Sequence, residues 1–287
     1  MATYDRTTED TGNVVSLEHV NVQIADQQTA TLFYIVGMGL TRDPYLTVGL
    51  ENMWLNAGRQ QFHVPTRPNA PQVLRGEIGI VVPDLDGLEQ RLTGIQKQLE
   101  GTLFAFTREN GHVEVTCPWG NKFLCTGPVG NFGATFGLPY VQFDVPVGTA
   151  NGIASFYTKV MRAEASVSER NGSPAALIQA GSDQVIVFRE NASELPDYDG
   201  HHIAIYISDF SSPHTWLAGR GLVFEESNEH QYRFRDIVDV ETGAVLYTIE
   251  HEVRSMRHPM YARNLVNRDP SINMGNYTRS SEYLNVG

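Results

Sequence analysis

The feature that most constrains this chain is a repeat. Ala57-Gly58-x-x-Gln61 returns as Ala180-Gly181-x-x-Gln184, and Phe33-Tyr34 returns as Phe156-Tyr157, both 123 residues on. Self-similarity at a fixed offset commits a sequence to a modular architecture. Within each half the pattern repeats once more. Val20, Val22 and Ile24 alternate with His19, Asn21 and Gln23. The same period of two returns at Ile78 and Ile80, at Val141, Phe143 and Val145, and at Ile203, Ile205 and Ile207. Such alternation predicts a strand with one apolar and one polar face. Helical spacing follows over Asp26–Leu40 and Asp84–Gln98, and again around Phe156-Tyr157 and Trp216-Leu217. Short strands between turn residues complete each unit. The order β-α-β-β-β thus appears four times. The expected fold class is α+β, with four such modules in two tandem domains. Residues 1–15 read as a flexible arm, 16–128 as the N-terminal domain, 138–252 as the C-terminal domain and 253–287 as an extension. The Gly-rich stretch 127–137 marks the main boundary. Two modules side by side close a cleft between their polar strand faces.

Composition narrows the partners. The chain has 33 acidic and 21 basic residues, a formal charge of −12. That argues against nucleic acid or an anionic membrane surface, either of which needs a basic face. No apolar run approaches the roughly 18 residues of a membrane span, and Met1–Asn13 lacks the apolar core of a signal peptide. Cys117 and Cys125 are the only cysteines. They make no disulfide framework, so a reducing, cytoplasmic setting is expected. There is no G-x-G-x-x-G, no P-loop and no nucleophile elbow. A small molecule is the expected partner. Homo-oligomerisation stays open, because a four-module chain can pair its modules internally.

Three motifs, taken in order, resemble the vicinal oxygen chelate superfamily, which includes the glyoxalases and extradiol dioxygenases. They are His19-Val20-x-Val22 leading to Phe33-Tyr34, Ala57-Gly58-x-x-Gln61-x-His63, and Pro118-Trp119-Gly120-Asn121. The resemblance covers about residues 16–252, and the four-module length is similar to that of the type I extradiol enzymes. It implies a divalent metal held by first and last strands of paired modules, and a substrate that chelates it through adjacent oxygens. Carried over by position, the N-terminal half offers His19, His63 and Glu77, with Leu124 at the fourth place. The C-terminal half offers Gln142, Ile186, His202 and Tyr247; a slipped register in the last strand would bring in Glu250. The extradiol enzymes keep their ligands in the C-terminal half, so this chain departs from their pattern.

The expected metal ligands are therefore His19, His63 and Glu77. Gln142, His202, Tyr247 and Glu250 are expected to line a substrate pocket or to form an alternative site. Two imidazoles and a carboxylate suit Fe(II) first, then Mn(II), Co(II), Ni(II) or Zn(II). The implied function is a metal-dependent enzyme acting on a small oxygenated, aromatic molecule, with an Fe(II) dioxygenase-type reaction in front. The alternatives are a glyoxalase-like lyase or isomerase, and a protein that sequesters a small molecule without turnover. Of His201 and His202 only one can face the cleft, because neighbours on a strand point to opposite faces. The extension carries Arg254, Arg257, His258, Arg263 and Arg268 among apolar residues that include Tyr283. It is expected to pack on its own chain, cover a cleft or bridge subunits.

Overall fold

The computed structural model describes residues 4–46, 49, 51–128 and 135–278. Four β-α-β-β-β modules follow one another. The first comprises β1 (Val14–Asn21), α1 (Gln27–Ala30, continued by π-helical turns over Thr31–Gly37), β2 (Thr41–Arg42), β3 (Asn52–Ala57) and β4 (Gln60–Pro65). The second comprises β5 (Gly76–Val81), α2 (Leu85–Ile95), β6 (Ala105–Glu109), β7 (His112–Thr116) and β8 (Lys122–Thr126). The third comprises β9 (Gly137–Val145), α3 (Ala150–Phe156, with π-helical turns over Tyr157–Met161), β10 (Ala165–Arg170), β11 (Ser173–Ala180) and β12 (Gln184–Glu190). The fourth comprises β13 (His202–Ile207), α4 (Ser211–Ala218), β14 (Val223–Asn228), β15 (Gln231–Val238) and β16 (Val245–Ser255). The fold is α+β, as the repeat predicts. No helix among the described residues is long and apolar enough to cross a membrane.

Local chemistry explains the elements. Asp26 and Asp84 cap α1 and α2: Asp26 accepts from the Thr29 amide, and Asp84 from those of Asp86 and Gly87. Each satisfies helix donors that would otherwise be orphaned. The repeated Ala-Gly turn has a double cause. Gly58 and Gly181 adopt φ of +66° and +63°. A Cβ at Gly58 would lie 2.1 Å from the Phe136 carbonyl oxygen, and one at Gly181 would lie 2.4 Å from that of Val15. Left-handed backbone and close passage of another chain segment both demand glycine.

The strands form two eight-stranded sheets, ordered β14-β15-β16-β13-β1-β4-β3-β2 and β10-β11-β12-β9-β5-β8-β7-β6. The sequence reading closes its clefts between chain neighbours. The sheets instead join the first module to the fourth and the second to the third. The cause is the order of strands within a module. Each first strand pairs on one side with its own module's last strand, which leaves its other edge unpaired. An unpaired edge needs a partner. β13 takes that place beside β1, and β9 beside β5, the latter antiparallel with Glu77 opposite Gln142.

Contacts divide the chain into two compact units. One comprises Glu18–Phe143, Pro196–Ile203 and Ala262–Gly287. Its core holds Phe33, Tyr34, Phe62 and Phe123, all buried, with ring centroids 4.8–6.2 Å apart where they touch. The other comprises Met1–Leu17, Asp144–Leu195 and Ala204–Tyr261. Its core holds Phe156, Tyr157, Phe188 and Phe234 in the same kind of cluster. The repeated Phe-Tyr pair therefore anchors each core.

Both ends of the expected domain map need adjustment. The arm expected over 1–15 is fixed from Gly12 onward. Gly12 bridges Ala163, and the Asn13 amide donates to the carbonyls of Met161 (2.9 Å) and Asp209 (3.2 Å). At the other end β16 runs on to Ser255. Residues 262–268 then strap the first hairpin. Asn267 brackets Gly58, accepting from its amide (3.0 Å) and donating to its carbonyl (2.7 Å). Arg263 reaches the buried Asp43 at 2.8 Å and the Gln61 side-chain oxygen at 3.1 Å. Residues 1–3, the 129–134 part of the expected glycine-rich boundary, and residues 279–287 with Tyr283 lie outside the described residues.

Candidate metal centre

The site is built on the polar face of β1, β4 and β3. β1 and β4 run parallel, with His19 opposite Gln61, Val20 opposite Phe62 and Asn21 opposite His63. Across the hairpin Trp54 faces His63, and Leu55 faces Phe62. Period-two alternation then sorts the side chains. Val20, Leu55 and Phe62 enter the apolar core, and His19, Asn21, Trp54, Gln61 and His63 share the other face. That face is not a solvated one: His19, Asn21, Asn56 and Gln61 are all buried. A buried polar face is informative in a way that an exposed one is not.

His19 is fully buried, and its Nδ1 is bonded by the Glu18 carboxylate. Its Nε2 is buried with no hydrogen-bond partner among the described residues. The His202 ring lies 5.8 Å away and the His63 ring 5.9 Å, both edge-on, with Trp54 at 4.9 Å. His63 is held differently. The Asn21 amide donates to its Nδ1 at 2.6 Å, and its Nε2 meets the Asn52 side-chain oxygen. Both ring nitrogens are engaged by amides, which fixes a neutral imidazole with its hydrogen on Nε2. The ring stacks on Trp54 at 4.0 Å and 10°.

The structure thus brings His19, His63 and His202 together. It does not bring Glu77 to them: His19, His63 and Glu77 form no three-ligand group among the described residues. Glu77 lies on β5, in the other sheet, where the Tyr140 hydroxyl donates to it at 2.5 Å. Tyr140 can lie there because Gly79 has no side chain; a Cβ would sit 2.2 Å from its ring. Gln142, buried on β9, faces Glu77. Cys125 and Cys117 offer no reactive thiolate. Burial, with the Glu77 charge adding to it, pushes Cys125 up to about 12, and burial also raises Cys117. His202 has the parity expected of it. His201 points elsewhere, stacking near Phe143 with its Nδ1 on Asp199 at 2.6 Å; burial pushes it below the usual imidazole range, against the pull of Asp199.

On β16 the counted position, Tyr247, pairs with Ile237 and packs on Phe188. Two register shifts between β15 and β16 defeat the count. Beyond them Glu252 pairs with Arg233, while its neighbour His251 stacks on Phe234 in the core. Glu250 is held by Arg233 (2.5 Å) and Arg235 (3.3 Å); Glu252 is held by Arg233 and Arg254. Within the unit that carries this face, His19 and His202 are two imidazoles brought side by side, their rings 5.8 Å apart. Two imidazoles leave open positions on an octahedral ion. Sequence reasoning missed Glu18 and Asn52. Pairing back from the Ala-Gly turn locates Trp54 opposite His63, but nothing local signals the register shifts between β15 and β16.

No sequence-family model matches the chain, and no curated protein matches it in sequence. Solved structures do. The fold is similar to glyoxalase I from Zea mays, at 13% identity and a TM-score of 0.60, over 88% of this chain and 95% of that one. It is similar to a protein of Bacillus subtilis subsp. subtilis str. 168 that carries the provisional name dioxygenase, at 14% identity and 0.56, over 85% and 86%. It is also similar to the cppA protein of Streptococcus pneumoniae TIGR4, at 9% identity and 0.50, over 86% and 100%.

Proposed function

From a chain with the glyoxalase and dioxygenase fold, we propose a metal-dependent enzyme that acts on a small oxygenated aromatic molecule. The proposed ligands are His19 and His202, both in one compact unit. The observation that carries this reading is the His19 Nε2, a buried nitrogen without a hydrogen-bond partner among the described residues, beside a second imidazole. A polar atom left so in a protein interior costs about 1–3 kcal/mol unless something binds it. The donor set fits a borderline divalent ion, Fe(II) ahead of Mn(II), Co(II), Ni(II) or Zn(II). Such an ion supplies Lewis-acid polarisation of a substrate oxygen and, as Fe(II), redox capacity toward O2.

The rest falls to the chain's own residues. Trp54 and His63 form a flat two-ring stack beside His19, a surface suited to a planar substrate. Asn21 and Asn52 hold His63 neutral and in one orientation. Gln61 is tied by Asn56, Asp43 and Arg263, which keeps the polar face ordered next to His19. These features support ring-directed oxygenation ahead of a glyoxalase-like lyase or isomerase reaction.

The test is metal content after anaerobic reconstitution with each of the five ions. Stoichiometric metal is expected in the parent and in His63→Ala, and loss is expected in His19→Ala and His202→Ala. Absence of metal from the parent overturns the reading. Loss in His63→Ala returns His63 to the ligand set. Fe(II)-dependent oxygen uptake with catechols or other phenols then separates oxygenation from the non-oxidative reactions.

A further inference from the structure

We propose that Glu18 is the positioning residue that makes His19 a ligand. The inference rests on the metal-centre reading above and concerns how the chain prepares that nitrogen. An imidazole binds a metal through a nitrogen that carries no hydrogen, so one of its two nitrogens must be assigned the proton. At His19 the Glu18 carboxylate sits on Nδ1, and an ionised carboxylate only accepts. The hydrogen is therefore on Nδ1, and Nε2 presents a bare lone pair. The opposite tautomer would bury an Nε2 hydrogen with no acceptor among the described residues.

His63 is the internal contrast. It lies on the same sheet face, 5.9 Å from His19. There the group on Nδ1 is the Asn21 amide, a donor, and the group on Nε2 is the Asn52 oxygen, an acceptor. The assignment is reversed, and neither nitrogen is presented bare. Two neighbouring imidazoles are thus set to opposite tautomers by the chemistry of what touches Nδ1. The carboxylate comes from the residue next to His19 on its own strand, and both are buried. The orientation of His19 is held by β1 itself.

The experiment has two readouts. The first is metal affinity: titration of Co(II) or Zn(II) into the full chain, into Glu18→Gln and into Glu18→Ala at one fixed pH. Removing a carboxylate behind a ligating histidine weakens metal binding by about 10–100-fold. That loss is expected for Glu18→Ala, and a smaller one for Glu18→Gln, whose amide oxygen still accepts. The second is the ring tautomer of His19 in the metal-free protein, read from 15N shifts. The parent is expected as the Nδ1–H form and Glu18→Ala as a mixture or the Nε2–H form. An unchanged tautomer in Glu18→Ala overturns the proposal, as does unchanged metal affinity in both variants. If the parent binds no metal, the metal-centre reading fails by itself, while the tautomer comparison still decides the role of Glu18. Should Glu18→Ala fail to fold, Glu18→Leu, which keeps the volume and cannot accept, carries both readouts, and parent values for both in that variant overturn the proposal.

Discussion

Acid should unfold this protein partly through one buried histidine. The Tyr157 hydroxyl donates to His251 Nε2 at 2.5 Å, His251 Nδ1 donates to the Ile249 carbonyl at 2.8 Å, and the ring stacks on Phe234 at 4.3 Å. Burial pushes the folded-state value from 6.5 down to about 3, against the raising effect of the Ile249 carbonyl. The folded protein therefore keeps His251 neutral where the unfolded chain protonates it. The unfolded state binds more protons between about pH 6.5 and 3, so stability rises with pH across that window and is complete above it. At 1.36 kcal/mol per unit, bringing the pH to 4 removes about 3 kcal/mol through this group, a large share of a typical 5–15 kcal/mol. The perturbation is the double variant Tyr157→Phe, His251→Phe, which removes donor and acceptor together and so leaves no buried group unsatisfied. Urea denaturation of parent and variant at pH 7, 5.5 and 4 is the assay. Any packing change shifts the variant's curve as a whole, and the carboxylates contribute equally to both. The gap between the two should therefore close or reverse by about 3 kcal/mol toward pH 4. Parallel acid profiles would refute the assignment of that loss to His251.

Three further outcomes follow from the geometry. Gly58→Ala should cost about 3 kcal/mol or more, from left-handed backbone plus overlap with the Phe136 carbonyl, whereas Gly111→Ala, at φ +86° with nothing within 4 Å, should cost only about 1–2 kcal/mol; equal denaturation midpoints would contradict the close approach. Arg263→Met leaves the fully buried Asp43 carboxylate without its guanidinium and should destabilise by about 3 kcal/mol; a loss below about 1 kcal/mol in urea would show that the donors Asp43 keeps, the backbone amides of Tyr45 and Leu46 and the Gln61 side chain, suffice. Tyr140→Phe removes the hydrogen bond to Glu77 and should cost about 1–2 kcal/mol with metal content unchanged; a fall in metal content would return Glu77 to the metal centre.

The fold was legible because its determinants are local and repeated. Alternation placed all four first strands. The Ala-Gly turns could be matched across the halves because each glycine answers the same two demands. His202 was legible through parity alone. What could not be read was which module's first strand would meet which. An open strand edge is completed by backbone groups, and backbone groups carry no side-chain signature. That choice decided whether His19 would find Glu77 or His202. The last strand was hard to read for a second reason: a count along it from Gly243 assumes an ideal ladder, and β15 and β16 carry two register shifts.

The Asn267 grip on Gly58 spans 209 residues of sequence. At a synthesis rate of roughly 5–20 residues per second, the hairpin bearing Trp54 and His63 exists for about 10–40 s before its strap has been made. During that interval the polar hydrogen-bonding groups of the turn and of Asp43 must be served by water or by a chaperone. Closure then waits on a long-range contact, the slowest kind to form. The order of translation thus sets the order of maturation, so that the first hairpin made is among the last parts of the protein to be finished.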